Sequence, residues 1–511
     1  MKNRENKGDV SKYMRRMTWG ASVVFAGKFL SKLLGYLYIL IAARLGAENY
    51  GMLNIGFSLV SLVVIFSFLG LENAVLRYIP YFEAKKDKAS IKGTVFLCIK
   101  VGLITTIFFT LISLLFSKQI AVLFFHNINL IPIIRIFSFT ILPLSFITFF
   151  ATVFSSFQRV DYDISVREVG EKLLRGILTL VLVYLGFGII GASVSYIFST
   201  FFMLLVCAYL MQKKVFPIFK TNQTTKYHTK ELFLYSLPLL LIVLLNSSTS
   251  SISTFFLGYF RTLSEVGVYN VALPTASLVV TIPFAITSLF VPIVTKLFAR
   301  KKTDLIKQIY KTTSRWIFLI NFPLFLIMLF FPRQILTILF GQNYSVGAMA
   351  LAILSIGYLL YSLNYVNFHI LSILKKTNLY FFVTLLFAIT NIILSFLLTP
   401  HYGVNGAAIA VSVSYILSSI FCSFLTYKQA KLHPFNASFF KPLFAALVAM
   451  VAVYSTVKFL LITLNFYGFL IALMGFLAIY SLFLLLFKCF EKEDFEMINV
   501  IFQRISPKKR V

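Results

Sequence analysis

The sequence predicts an all-α polytopic membrane protein of about 14 transmembrane helices, arranged as two parallel six-helix repeats plus two C-terminal helices. Three observations lead there. The 511 residues are 59% hydrophobic and only 13% charged, more apolar surface than a soluble chain of this length can use. The apolar runs recur from end to end, and each reaches the length of about 20 residues that a helix needs to cross a bilayer. Short motifs also return at a nearly constant offset. Lipid admits only helices or closed barrels, and a barrel would show alternating segments of about ten residues instead.

The first stretch, Trp19 to Ala43, holds Lys28 and Lys32 well inside it. Four residues apart, they share a helix face. Lys28 lies about 15 Å from a helix start near Thr18, at 1.5 Å per residue. A charge facing lipid at that depth is expensive, so both should face protein or a water-filled cavity. Gly27, Ser31 and Gly35 form an adjoining small-residue stripe suited to close helix contact. The stretch is too long for a signal-peptide core and lacks a small-residue cleavage site, so it is expected to be retained. Further spans follow near 52–71, 92–116, 130–154, 164–186, 188–210, 232–258, 267–292, 314–332, 346–371, 379–399, 404–427, 438–463 and 466–488. The thinnest divisions are Gly186-Phe187-Gly188 and the one inside the last pair. Cys98, Cys207, Cys422 and Cys489 have no metal-ligand spacing and read as core or lipid-facing thiols; no cofactor is implied.

Lysine and arginine set the orientation. With this span count both termini share a side with alternate loops. That side carries Lys2 to Arg16, Lys85 to Lys92, Lys213 to Lys230, Lys296 to Lys311, Lys375 and Lys376, Lys428 to Lys441 and Lys492 to Arg510. The other side offers Arg44, Lys118, Arg261 and Arg333. Roughly thirty against four places both termini in the cytoplasm. The net charge of +30 is then topology and contact with anionic lipid headgroups. No loop is long enough for a basic domain that would bind nucleic acid.

The repeat is direct. Gly51-Met-Leu-Asn54 returns as Gly267-Val-Tyr-Asn270, Ser61-Leu-Val-Val64 as Ser277-Leu-Val-Val280 and Lys85-Lys86 as Lys301-Lys302, all offset by 216 residues. Gly188-Ile-Ile-Gly-Ala192 returns as Gly403-Val-Asn-Gly-Ala407, offset by 215. An even number of crossings separates the copies, so they share an orientation, as in transporters whose path runs between two halves. The division expected is an N-terminal lobe at 1–210, a cytoplasmic linker at 211–231, a C-terminal lobe at 232–427, two extra helices at 428–490 and a basic tail at 491–511.

Lys32-Leu-Leu-Gly35, Ala42-Ala-Arg-Leu-Gly46, Glu48-Asn-Tyr-Gly51, Gly70-Leu-Glu-Asn-Ala-Val-Leu-Arg-Tyr-Ile-Pro80 and Pro400-His-Tyr-Gly-Val-Asn-Gly-Ala-Ala408 carry a resemblance. The chain resembles polysaccharide flippases of the multidrug, oligosaccharidyl-lipid and polysaccharide exporter superfamily over essentially its whole length. The resemblance implies a V-shaped bundle in the cytoplasmic membrane that flips an undecaprenyl-diphosphate-linked oligosaccharide from the inner to the outer leaflet. Its partners would be a polyprenyl-diphosphate-linked glycan, membrane lipids and a polysaccharide polymerase.

A doubly anionic diphosphate calls for buried cations. The candidates are Lys28, Lys32, Lys100 in the third span, Arg135 in the fourth, and Arg167, Glu171 and Arg175 in the fifth. At 3.6 residues per turn the last three share one face, with Glu168 and Lys172 paired beside it. Each has a plainer role. The lysine pair could bind a carboxylate such as Glu72; the fifth-span cluster could be an interfacial ion-pair ladder; Lys100 could snorkel. Arg77 reads as an interface anchor. The second half carries uncharged polar residues at depth, among them Asn364 and Asn367. The run Asn246 to Ser251 reads as helix-packing glue, with Asn246 and Asn391 as the alternative cation site.

Three classes compete. A flippase working by alternating access leads. A cation-coupled drug or metabolite antiporter would favour intramembrane acids, of which Glu72 is the main isolated one. A glycosyltransferase or polymerase needs a sizeable loop with clustered carboxylates, and no outer loop exceeds roughly a dozen residues on this span count. The chain is therefore expected not to be an enzyme. Lipid II flippases are the nearest rival; they typically place an arginine in the second span, whereas Ile55 to Leu71 holds no basic residue.

Overall fold

The computed structural model describes residues 25–217, 225–247, 249–433, 437–459 and 465–489. The basic N-terminal segment, the start of the first stretch, the side chain of Asn246 and the 491–511 tail lie outside the described residues. The described residues are helical with short breaks and contain no strand. Among the described residues ten helices are long and apolar enough to cross a membrane, eleven if the bent pair Leu130–Ser138 and Ile141–Ser156 counts as one span. The chain divides into two compact units, Met1–Val271 with Ala388–Ala410, and Ala272–Phe387 with Val411–Val511.

The first unit holds α1 (Phe25–Ala43), α2 (Ala47–Phe66), α3 (Leu71–Ala84), α4 (Lys88–Leu115), α5 (Leu130–Ser138), α6 (Ile141–Ser156), α7 (Glu171–Tyr184), α8 (Gly188–Leu210), α9 (Thr229–Ser247) and α10 (Thr249–Phe260). The first part of α11 (Leu263–Ala276) belongs to it as well. Asp87 caps α4, accepting the Ser90 amide at 3.0 Å and the Ser90 hydroxyl at 2.8 Å. Those two bonds hold its carboxyl below the usual range. The break between α7 and α8 falls at Gly186-Phe187-Gly188, where both glycines take positive φ, 88° and 51°. The core is aromatic. Phe68 stacks on Phe149 at 4.8 Å, Phe146 meets Phe68 edge-on at 5.4 Å, and Leu71, Ile79 and Cys98 close the cluster. All four cysteines are free and buried.

Two glycines related by the 216-residue offset meet in this unit. A Cβ on Gly51 would stand 1.9 Å from the Leu263 carbonyl oxygen, and a Cβ on Gly267 would stand 1.9 Å from the Ala47 carbonyl oxygen. Ala47 and Leu263 are themselves 216 residues apart, so the contact is reciprocal. Asn54 and Asn270 play matching local roles, each amide donating to the carbonyl four residues back, Tyr50 and Val266.

The second unit holds α12 (Thr281–Ala299), α13 (Thr303–Phe330), α14 (Pro332–Phe340), α15 (Ala348–Ile373), both ends of α16 (Thr377–Ala430), α17 (Ala437–Phe459) and α18 (Phe466–Leu486). The last two pack on α13: Tyr480 donates to the Leu319 carbonyl at 2.8 Å, and the Phe330 and Tyr454 rings lie 5.4 Å apart. Tyr310, Ile317, Val366 and Ile370 are at the core between α13 and α15. Straight, the 54 residues of α16 would extend about 81 Å at 1.5 Å per residue, far beyond the roughly 30 Å of hydrocarbon. Gly403 breaks it, with φ 54° and ψ −128°. The loop expected around Pro400 is thus a one-residue kink. A Cβ there would stand 2.2 Å from Glu265 Oε2, because the Arg261–Glu265 ion pair, 3.1 Å, lies over the bare backbone.

Gly51→Ala and Gly267→Ala should each destabilise the protein by about 1–3 kcal/mol, the usual cost of forcing atoms into a filled contact. The double variant should lose less than the sum, because one displacement relieves both clashes. Thermal melting in detergent measures all three; strictly additive losses would mean that the two glycines do not share one contact.

Candidate functional site

The charges of the fifth span meet α1 in the first unit. Gly27 lets the backbones close: a Cβ there would stand 2.0 Å from Ile164 Cγ2. One turn on, Ser31 donates to Glu168 Oε2 at 2.6 Å, and Lys172 donates both to Ser31 Oγ and, at 3.2 Å, to the same carboxylate oxygen. Lys28 and Lys32 flank Ser31 on α1, Lys28 partly buried and Lys32 exposed. Lys32 is near enough to Lys172 for their ammonium groups to interact. Gly35, the third member of the small-residue stripe, has nothing within 4 Å of its Cβ position.

Residues Ile164–Gly170 form a π turn that runs directly into α7. The face expected to be shared by Arg167, Glu171 and Arg175 does not bring all three into contact. Arg167 does not pair with Glu171; it binds Asp163 through Nε at 2.9 Å and a terminal nitrogen at 3.3 Å, and reaches Glu168 at 3.7 Å. Asp163 was not among the expected site residues, although its spacing from Arg167 was the available signal.

Glu171 and Arg175 form a second, deeper pair, only 6% and 9% exposed. Their closest approach, Arg175 Nε to Glu171 Oε1, is 3.6 Å. The guanidinium lies 4.4 Å from the Tyr38 ring centroid on α1 and 4.9 Å from that of Tyr196 on α8. Ser199 on α8 donates to Glu171 Oε1 at 3.5 Å. The pair therefore ties three helices together. Neither tyrosine could be assigned to Arg175 from spacing, since both lie on other helices.

The cluster carries five cations, Lys28, Lys32, Arg167, Lys172 and Arg175, against three carboxylates, Asp163, Glu168 and Glu171, so 5 − 3 leaves a formal +2. Such a surplus suits a polyanion. Other expected site residues lie apart from it. Lys100 is exposed, its ammonium 5.4 Å from the Tyr227 ring centroid. Arg135 is exposed and donates to Ser117 Oγ at 3.1 Å. Glu72 accepts from Thr148 at 3.2 Å, and neither lysine binds it. Arg77 lies over the Tyr235 ring at 4.5 Å. Asn391 is fully buried, with Oδ1 3.4 Å from Ser253 Oγ and with Nδ2 unbonded among the described residues.

Glu171→Gln should strand the Arg175 charge and cost about 3–5 kcal/mol of stability. Adding Arg175→Met should restore much of that loss, because no lone ion is then left buried. Melting of single and double variants in detergent decides; a double variant as weak as the sum of the singles would show that the pair does not act as one.

Residues 18–298 match the family model described as polysaccharide biosynthesis protein, and residues 238–397 match the MatE model. An uncharacterized membrane protein of Methanocaldococcus jannaschii is 27% identical over 430 residues, covering 80% of this chain and 83% of that protein. The capsular polysaccharide biosynthesis protein CapF of Staphylococcus aureus is 26% identical over 416 residues, covering 78% and 96%. Among solved structures, the lipid II flippase MurJ in an inward closed conformation superposes with a TM-score of 0.70 at 15% identity, covering 90% of this chain and 98% of that one. At that identity the likeness concerns the fold. The family model covers more than half of the chain, and the chain belongs to the polysaccharide biosynthesis protein family.

Proposed function

We propose that this protein flips a polyprenyl-diphosphate-linked oligosaccharide from the cytoplasmic to the outer leaflet by alternating access. What supports this reading is the cation-rich cluster where α1 meets the 164–184 segment, in a chain of this family. In the proposal the diphosphate is received by Lys28, Lys32 and Arg167, the more accessible cations, while the lipid tail stays in hydrocarbon. Glu171 and Arg175, buried and caged by tyrosines, hold the helices that present them. Lys100 and Arg135, both exposed, line the path at other depths. Asn391, with Asn246, stays the alternative cation site to a helix-packing role. The protein is a transporter, with chemistry left to other enzymes of glycan assembly, a polymerase among them.

The topology that goes with it has 14 crossings, two parallel six-helix repeats with the lobe boundaries given above, two added helices, and both termini in the cytoplasm. The reciprocal contact of Gly51 and Gly267 supports a two-fold relation between the copies. The kink at Gly403 supports counting α16 as two crossings. A second reading, a lipid II flippase, is favoured by the likeness to MurJ, and an antiporter by the MatE match.

The test is transport of a fluorescent polyprenyl-diphosphate oligosaccharide in proteoliposomes, read by access of an impermeant lectin. Lys28→Ala with Lys32→Ala should slow flipping at least tenfold while membrane insertion is unchanged. Wild-type rates in that variant would remove the lysine pair from the path. Competition by lipid II, but not by the oligosaccharide lipid, would favour the second reading.

A further inference from the structure

One face of α15 is a ladder of rings. Tyr358, Tyr361, Tyr365 and His369 follow at spacings of three, four and four, which places them one above another on a helix. Ring centroids are 6.0 Å apart from Tyr361 to Tyr365 and 5.2 Å from Tyr365 to His369. Tyr415 of α16 joins at 4.5 Å from Tyr361 and 5.0 Å from Tyr358. The backbone fixes this arrangement. A Cβ on Gly357 would stand 2.6 Å from Ser412 Cα, and Ser412 donates to the Ile353 carbonyl at 2.8 Å, so the two helices are locked beside the rings.

The ladder differs from ordinary core. A buried tyrosine hydroxyl normally finds a partner, and in the same unit Tyr310 donates to Asn367 at 2.7 Å and Tyr480 to Leu319. Tyr361 and Tyr365 are partly exposed, and their hydroxyls make no hydrogen bond among the described residues. Tyr361 lies about 18 Å from the Ile373 end of α15, at 1.5 Å per residue, too deep for an interfacial aromatic belt. An unbonded phenol facing acyl chains at that depth would be costly. Its hydroxyl is therefore set toward water or a polar ligand. Beside it Asn364, partly exposed, accepts from Asn367 Nδ2 at 2.7 Å and from Ser423. From Ala348 to Ile373 there is no Asp, Glu, Lys or Arg. A ligand suited to this face is uncharged, hydroxylated and flat-sided, which describes a sugar ring.

We infer that the part-exposed rings Tyr361, Tyr365 and His369, backed by buried Tyr358 and by Tyr415, form a stacking track for the sugar rings of the transported glycan. The inference rests on the flippase reading and assigns the glycan moiety to residues other than those proposed for the diphosphate.

The experiment compares two cargos in proteoliposomes holding the full-length protein: polyprenyl diphosphate bearing one sugar, and the same lipid bearing a tetrasaccharide. Tyr361→Leu and Tyr365→Leu together should slow the tetrasaccharide lipid about tenfold, from two lost stacking contacts, and the monosaccharide lipid only about threefold, from one. Tyr361→Phe, which keeps the ring, should retain at least about half of the tetrasaccharide rate. Equal slowing of both cargos, or slowing of neither, overturns the inference while leaving the flippase reading intact. If the leucine variant fails to fold, the track is judged by the thermal shift that free tetrasaccharide gives wild-type protein and Tyr361→Phe: a shift in both supports it, and none in wild type overturns it. If wild type moves neither cargo, the flippase reading fails, and the track as a path for cargo fails with it.

Discussion

The cost of placing an ion in hydrocarbon governs the first unit. Every charge of the fifth span found at depth has an answering group within reach: Arg167 has Asp163, Lys172 has Glu168 and Ser31, Arg175 has Glu171 and two tyrosine faces. An isolated charge there would be several kcal/mol uphill. Once paired, the same charges become the strongest constraint on helix placement, because separating any pair strands an ion. The contact of α1 with the 164–184 segment follows from this as much as from apolar packing. Small residues at 27 and 31 let the helices near each other, and the ionic groups fix the register.

The second constraint is steric. Gly51 and Gly267 each meet a backbone carbonyl, an atom that cannot rotate away as a side-chain tip can. Two helices touching backbone to backbone gain dispersion contact that lipid cannot supply, which is why small residues collect at such crossings. That the two contacts are copies at one sequence offset means a single local solution was used twice. Asn54 and Asn270, each bonded to the carbonyl one turn back, belong to the same solution.

Much of this was legible in the sequence. Composition and run length gave the helical membrane class. Gly186 and Gly188 marked a real turn, because glycine is the residue that takes positive φ at little cost. The pairs Glu168–Lys172 and Glu171–Arg175 sit at i, i+4 and were readable as such. Arg167–Asp163 has the same spacing and was missed only because Asp163 lies just before the stretch read as the fifth span. Tyr38, Tyr196 and Ser199 around the deep pair were also out of reach, because partners on different helices leave no spacing to read. Gly35 belonged to the stripe by spacing alone; farther along α1, Tyr38 and Arg175 fill the space beside α7, so no backbone comes close.

The two units bury polar groups with different emphasis: the second also buries a cation, Arg315, 3% exposed, but most of its buried polar groups are neutral. In the second, Tyr310, Asn367, Asn364 and Ser423 form a continuous neutral network, and Asn321 bonds Ser362 at 3.0 Å. Such bonds contribute only about 1 kcal/mol each inside a membrane, and they carry no net charge for an electric field to act on. The first unit concentrates its ions, where the membrane potential and any charged cargo exert their force. A molecule that is anionic at one end and polyhydroxylated at the other presents two demands that no single surface meets well. Cations strong enough to hold a diphosphate add nothing to the flat face of a sugar, and rings that stack on sugars offer a phosphate no countercharge.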